Sequence, residues 1–263
     1  MSELNPTPPP IHASIPVPPT LPLSLHEPRP LGDDPAERNA IPNTFVAIEA
    51  ILRQPRRLLF QMRQPGAGNL IAAMLFAAIL CAVAYGVVVG TFSRGEQLWA
   101  APVKIVMGLA ISAAICLPSL YIFACLSGAH ARLNEVCGLL AGLLLLMTIL
   151  LIGFAPVAWI FSESTESVAA MGTFHLLFWF VATIFGIRFM KAGFTHAHAR
   201  SQIGINVWIV IFLLVAMQMT CALRPILGKP AATFFPTEKK FFVGHWFDTL
   251  DAATPESSKL SVK

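Results

Sequence analysis

His130, His196 and His198 are of the residue type that, three at a time, holds a zinc ion with a fourth position open to water. His196 and His198 form an HxH in the polar stretch GFTHAHARSQ, and His130 stands apart in GAHARL, with no fixed spacing between them. An HxH in a polar loop arises readily by chance, so these three are the metal candidates and the expectation is that no metal is bound. His175 lies inside an apolar run. Haem ligation there needs a second axial partner at matching depth, and no other run offers a histidine, so His175 reads as an imidazole facing the membrane interface. Ser112 and Ser119 share the second run, with no histidine at suitable depth to act as their base. A nucleophile elbow, a phosphate loop and paired catalytic carboxylates are all absent. The reading is therefore non-enzymatic and without cofactor.

Acidic side chains point the same way. Glu96, Glu135, Glu163 and Glu166 fall in loops or at the ends of apolar runs, and no Asp or Glu lies inside one. A proton-driven carrier usually needs an ionisable relay at membrane depth. Lys104 and Arg188 sit near run ends, from which long cationic side chains reach the headgroups. The five cysteines lie in or beside the runs without metal or redox spacing and read as packing residues. Gly86 and Gly90 in one run, and Gly138 and Gly142 in another, have the small-xxx-small spacing that lets helix backbones approach in lipid. They are read as packing within the chain first and between copies second. Pro118 and Pro156 are counted with these glycines as helix-packing positions and should kink the helices that contain them.

Long apolar elements must position all of these residues. Leu70–Thr91, Val103–Ser127, Val136–Phe161, Val168–Ile187 and Ile205–Leu223 each approach or exceed the roughly 20 residues that cross the hydrocarbon core as a helix. Hydrophobic residues make up 56% of the chain and charged residues only 12%, far below the quarter or so of a soluble domain. A soluble protein with such runs would have no polar face to turn to water. The net charge of +4 is small and tied to the ends of the runs, and no nucleic-acid-binding signature is present.

Outside the runs, residues 1–42 are proline-rich and read as a disordered tail, since proline lacks an amide donor and favours extended chain. No basic start and apolar core of a signal peptide is visible, so the first run is expected to act as the insertion signal. Residues 43–65 read as amphipathic interfacial helix. Asn43 is the expected N-cap, Phe45, Ile48, Ile51 and Leu52 recur at helical spacing, and Pro55 should open a second short helix. Arg53, Arg56, Arg57 and Arg63 are the candidate contacts to anionic headgroups, although packing on the end of the bundle is an equal reading. Residues 66–224 form the spanning domain, and residues 225–263 an aromatic and polar tail. Basic residues cluster before the first run, after the second and after the fourth, which predicts a cytoplasmic N-terminus and a periplasmic C-terminus.

The amphipathic ILRQPRRLL, the five runs, LPSLYIFACLSGA in the second, GFAPVAWIF closing the third and LRPILG after the fifth together resemble the bacterial branch of the Yip (Ypt-interacting protein) family over about residues 45–245. The resemblance implies five spans and a cytosolic N-terminus. In eukaryotic members it implies a role in organising membrane traffic with small GTPases and partner proteins. The aspartate-leucine-tyrosine-glycine-proline motif of that branch is absent, so no functional residue carries over. The expectation is thus an all-α, polytopic membrane bundle of five transmembrane helices plus an N-terminal amphipathic interfacial helix, in the bacterial inner membrane. It would organise the membrane or scaffold partners. Its own partners would be the bilayer, anionic headgroups, and a second copy or another membrane protein. A small-solute transporter or channel is the alternative.

Overall fold

The computed structural model describes residues 30–222 apart from 94, 96, 130, 131, 166 and 198–200. Among the described residues the chain is all-helical. Asn43 is extended (φ −141°, ψ 162°) and its carbonyl accepts the Ala47 N–H at 3.1 Å, which starts α1 (Thr44–Arg53) without a side-chain cap. Pro55 opens α2 (Pro55–Gln61), its fixed φ suiting a helix start and its missing N–H falling where no intrahelical partner exists.

Among the described residues, four helices are long and apolar enough to cross a membrane: α3 (Ala67–Ser93), α4 (Gln97–Leu126), α5 (Leu133–Ser164) and α6 (Val168–His196). The protein is accordingly an apolar multi-helix bundle of membrane type. Helix α7 (Ile203–Ala222) is also apolar but shorter, and the fifth run ends at Leu223, outside the described residues. Each of the four long helices overshoots its apolar run at one or both ends. At about 1.5 Å per residue, the 32 residues of α5 reach about 48 Å, well beyond a hydrocarbon core of about 30 Å. Apolarity marks the depth of the oily layer, whereas the helix continues until something stops it. The first half of the stretch read as a polar connector, through His196, is therefore the last turn of α6. Helix α4 ends where Gly128 (φ +72°) takes the left-handed conformation and Ala129 N–H returns to the Ala124 carbonyl at 3.2 Å.

Helix α5 is the centre of the bundle. In its most apolar window 72% of residues are buried, against 22–39% in α3, α4 and α6. This leucine-rich helix has no polar face to keep in view, so the others can surround it. Helices α3 and α6 pack on it, α4 packs chiefly on α3, and α7 packs on α4. Glycines set the closest approaches. A Cβ on Gly86 would lie 2.5 Å from Pro102 Cα, so the backbones of α3 and α4 meet there. Gly138 faces Met62 and Ile71, and Gly142 faces the Phe189 ring of α6. Gly186 and Gly193, not anticipated from sequence, do the same on α6 against Leu143 and Leu139. Gly90 is buried in α3. Pro118 and Pro156, expected at packing positions, instead sit on exposed faces of continuous helices, where the ring obstructs no partner.

Two further expectations are corrected. Lys104 does not extend to the headgroups. It is 3% exposed, on the face of α4 that also buries Ala101 and Ile105. His175 does not face the interface but is buried in the bundle. In both cases the helix rotation that buries the apolar neighbours carries the polar residue inward with them.

Candidate functional site

The most elaborate polar construction is a cap on the end of the bundle where α3 and α5 begin. Asp34 accepts the Ala36 N–H at 2.9 Å and starts a 3-10 turn over Pro35–Arg38. That turn carries Glu37 inward until it is only 6% exposed. Its Oε2 accepts the Gly32 N–H at 2.6 Å and its Oε1 accepts the Arg56 Nε–H of α2 at 2.5 Å. Gly32 has φ +94°, and a Cβ there would meet the Phe60 ring at 2.6 Å, so both backbone and space call for glycine.

Arg56 also donates to the Pro30 carbonyl at 3.1 Å, and its Nη1 lies 3.5 Å from His196 Nε2 at the end of α6. Arg57 donates to the carbonyls of Asn39 and Ala40 at 3.0 and 2.8 Å. Gln61 donates to the carbonyls of Arg38 and Asn39, each at 3.2 Å. The physical reason is the composition of this stretch. An irregular, proline-rich chain leaves carbonyls without helix or sheet partners, and planar guanidinium donors satisfy several at once.

Desolvation by burial pushes the Glu37 carboxyl up. The Gly32 N–H and the Arg56 guanidinium, with His196 nearby, outweigh it and hold the carboxyl below its ordinary value.

Apolar contacts seat the cap. Ala47, Ala50, Ile51, Leu58, Leu59 and Met62 are buried. Met62 Sδ would lie 2.7 Å from a Cβ on Gly138, and Leu59 approaches Gly193. Just beyond α2, Arg63 pairs with Glu135 in the first turn of α5 at 3.7 Å.

The four arginines expected at headgroups thus divide. Arg56, Arg57 and Arg63 bond within the chain, and Arg53 points outward in an exposed pair with Glu49 at 3.2 Å. The segment read as the end of a disordered tail is, over residues 30–42, laid on α2, while residues 1–29 lie outside the described residues. Of the three histidines considered for zinc, His196 lies beside Arg56, and His130 and His198 lie outside the described residues. Among the described residues no three His, Cys, Asp or Glu side chains are grouped to hold a metal.

A second polar feature lies toward the opposite end, inside the bundle. Tyr85 Oη on α3 is 2.6 Å from His175 Nδ1 on α6, with the rings edge to face. Phe178 turns against the same imidazole and stacks on Phe154 of α5. The Tyr85–His175 bond ties α3 directly to α6 past α5. Sequence reasoning missed Tyr85. The available signal was depth, since Tyr85 is about two turns from the end of α3 and His175 about two turns from the start of α6. Trp208 of α7 makes a comparable tie, its indole N–H donating to the Cys116 carbonyl of α4 at 2.9 Å.

Between α3, α4 and α5 lies a groove of about 330 Å³, hollowed by Ala78, Ala82, Ala110 and Ala113 and floored by Leu144 and Thr148. The Thr148 hydroxyl is taken up by the carbonyls of Leu144 and Leu145, so the groove presents hydrocarbon. Comparison with family models, curated proteins and solved structures gives no match for this chain.

Proposed function

We propose that this chain is a non-enzymatic integral membrane protein that organises the bilayer or scaffolds partner proteins in the bacterial inner membrane. In this reading α7 is a fifth span, the N-terminus is cytoplasmic and the C-terminus periplasmic, in keeping with the Yip-type resemblance. The observation that carries it is the cap. Residues 30–63 are fixed to one end of an apolar bundle through Glu37–Arg56 and the seating of Met62 on Gly138. Such a platform offers a pre-organised docking face beside the membrane, and its arginines follow the positive-inside pattern. The apolar groove and the outward prolines favour packing over a solute path.

Mild crosslinking in native membranes, followed by purification, tests the reading. Recovery of a defined protein partner whose yield drops when Glu37 is replaced supports it, and recovery of lipid alone sinks it. Reporter fusions at the two termini should signal from opposite compartments. Transport is the second reading, favoured by the Tyr85–His175 pair and the buried Lys104 inside the bundle. Saturable flux in proteoliposomes that is lost in His175→Ala would replace the scaffold.

A further inference from the structure

The groove between α3, α4 and α5 is open along its side. Leu75 and Ile79 line it and are also exposed on α3, as are Ala110 and Ala114 on α4. Every residue that lines it belongs to an apolar run, so a bilayer crossed by these helices holds it at hydrocarbon depth. Water is not the medium there, and what the open side meets is acyl chain.

Two close approaches set its height. The runs of α3 and α5 open at Leu70 and Val136, and Gly138 meets Ile71, so both runs begin at one level and Cys137, at one end of the groove, lies at the rim of the oily layer. Gly86 meets Pro102, and four residues along each helix from that contact Ala82 and Val106 come level at the other end. From Cys137 to Thr148 on α5, or from Leu117 to Val106 on α4, the groove covers eleven residue steps, about 16 Å. Half of a hydrocarbon core of about 30 Å is about 15 Å, the depth of one leaflet. Spread over that length, 330 Å³ leaves a section of about 20 Å², which admits one extended methylene chain. A helix with its side chains is about 10 Å across and is too wide to enter. At the rim both walls turn polar. Tyr121 on α4 and Asn134 on α5 each stand one turn beyond the last lining residue, Leu117 and Cys137, and both are exposed. The exposed guanidinium of Arg132 lies at the N-cap of α5, and the acid that follows, Glu135, is paired with Arg63. Donors and a cation at one end with hydrocarbon along the length match the polarity of a phospholipid whose head is on the capped side.

The geometry points to this groove as a binding site for one acyl chain of an anionic phospholipid from the leaflet on the capped side. The phosphate meets Arg132 beside Tyr121 and Asn134, and the methyl end reaches Ala82, Val106 and Thr148. This rests on the spanning reading of α3, α4 and α5. Helix α4 packs chiefly on α3, so a seated chain supplies the contacts that α4 and α5 do not make with each other.

Photolabelling of the full chain in vesicles tests it. Phosphatidylglycerol with a diazirine at the end of one acyl chain is titrated into phosphatidylcholine, and adducts are mapped by mass spectrometry. Leu80, exposed on α3 at similar depth but outside the groove, reports bulk lipid. The expected result is labelling at Ala82, Val106 and Thr148 that saturates at one probe per chain, while labelling at Leu80 rises in proportion to the probe. Moving the diazirine beside the carboxyl end of the acyl chain should shift the saturable labelling to Leu117 and Cys137. Ala110→Phe, at an exposed position from which the ring can fill the groove, should cut the saturable labelling several-fold and leave Leu80 unchanged. Arg132→Gln should raise the probe fraction at half-saturation several-fold, and an unchanged value overturns the headgroup contact. Groove labelling that stays proportional to the probe, as at Leu80, means fluid lipid and overturns the site. An unlabelled groove beside a labelled Leu80 means that protein covers it, which overturns the site and leaves the spanning reading intact. An unlabelled Leu80 overturns both. The shift with diazirine position is read on the unaltered chain, so the site stays testable if Ala110→Phe does not fold.

Discussion

The two ends of this bundle are held by different physics. At the capped end an ionised carboxylate and a guanidinium fasten an irregular segment to α2 and reach the last turn of α6. At the other end a tyrosine and a histidine, both buried among apolar rings, tie α3 to α6 with one hydrogen bond, and glycine lets α3 and α4 touch backbone to backbone. The difference follows from the solvent. Near water a charge pair can form without the large desolvation cost it would meet at depth, and it can fasten chain that has no regular structure of its own. Inside the bundle the same result comes from close packing and a single uncharged contact. The capped end should therefore respond to pH, while the far end should respond to changes in shape.

The largest effect should come from shape. Gly86→Ile places a branched side chain against the backbone of Pro102, which cannot swing aside as a side-chain tip can. Overpacking of this kind costs about 3 kcal/mol. Thermal melting in detergent should show a strongly lowered midpoint. Gly153→Ile, at a position where a new Cβ meets nothing within 4 Å, should leave the midpoint almost unchanged. Equal behaviour of the two variants would break the contrast between the ends. The next effect belongs to the cap. Glu37→Gln keeps the shape and removes the charge, weakening the bonds from Gly32 and Arg56 by about 2 kcal/mol together after allowing for the partial exposure of Arg56. Residues 30–42 should then exchange amide hydrogens and be cleaved by protease far faster, with the melting of the bundle little affected.

These two variants also separate what the sequence discloses from what it hides. Gly86 is legible because its spacing from Gly90 is local and the apolar run around it admits few uses for glycine. Asn43 and Pro55 mark the starts of α1 and α2 for equally local reasons. Glu37 is not legible. Its value comes from a partner 19 positions away and from the turn that Asp34 starts, inside a stretch whose composition reads as disordered. Tyr85 and His175 are 90 positions apart, on two helices that meet only because both pack on α5. Apolar run length reveals that helices cross, but the rotation of each helix decides whether His175 or Lys104 faces lipid or core. That rotation is fixed by packing against neighbours. Gly186 and Gly193 escaped notice because they are seven residues apart, outside the four-residue spacing that draws attention to small residues.

Removing the hydroxyl in Tyr85→Phe leaves the ring packing and deletes the bond to His175. Hydrogen bonds between membrane helices are worth about 1 kcal/mol, so the midpoint should fall only modestly. A fall as large as that of Gly86→Ile would mean that the far end is governed by its polar contact rather than by close approach.

The smallest effect, absent at neutral pH, is the most selective. Glu37 has its carboxyl held below the ordinary value in the folded cap. The unfolded chain therefore takes up its proton first as pH falls, and the stability contributed by the charged form is complete above the ordinary carboxylate value of 4.5. It is lost as pH drops through the lower, folded value. Amide exchange of residues 30–42, followed from neutral to acidic pH and corrected for the intrinsic exchange rate, should stay level and then rise in that acidic window. In Glu37→Gln the exchange should already be high and should not change across the window. The amides of α5 should show no step in either protein. A step in α5 that tracks the one in the cap would show the two ends to be coupled.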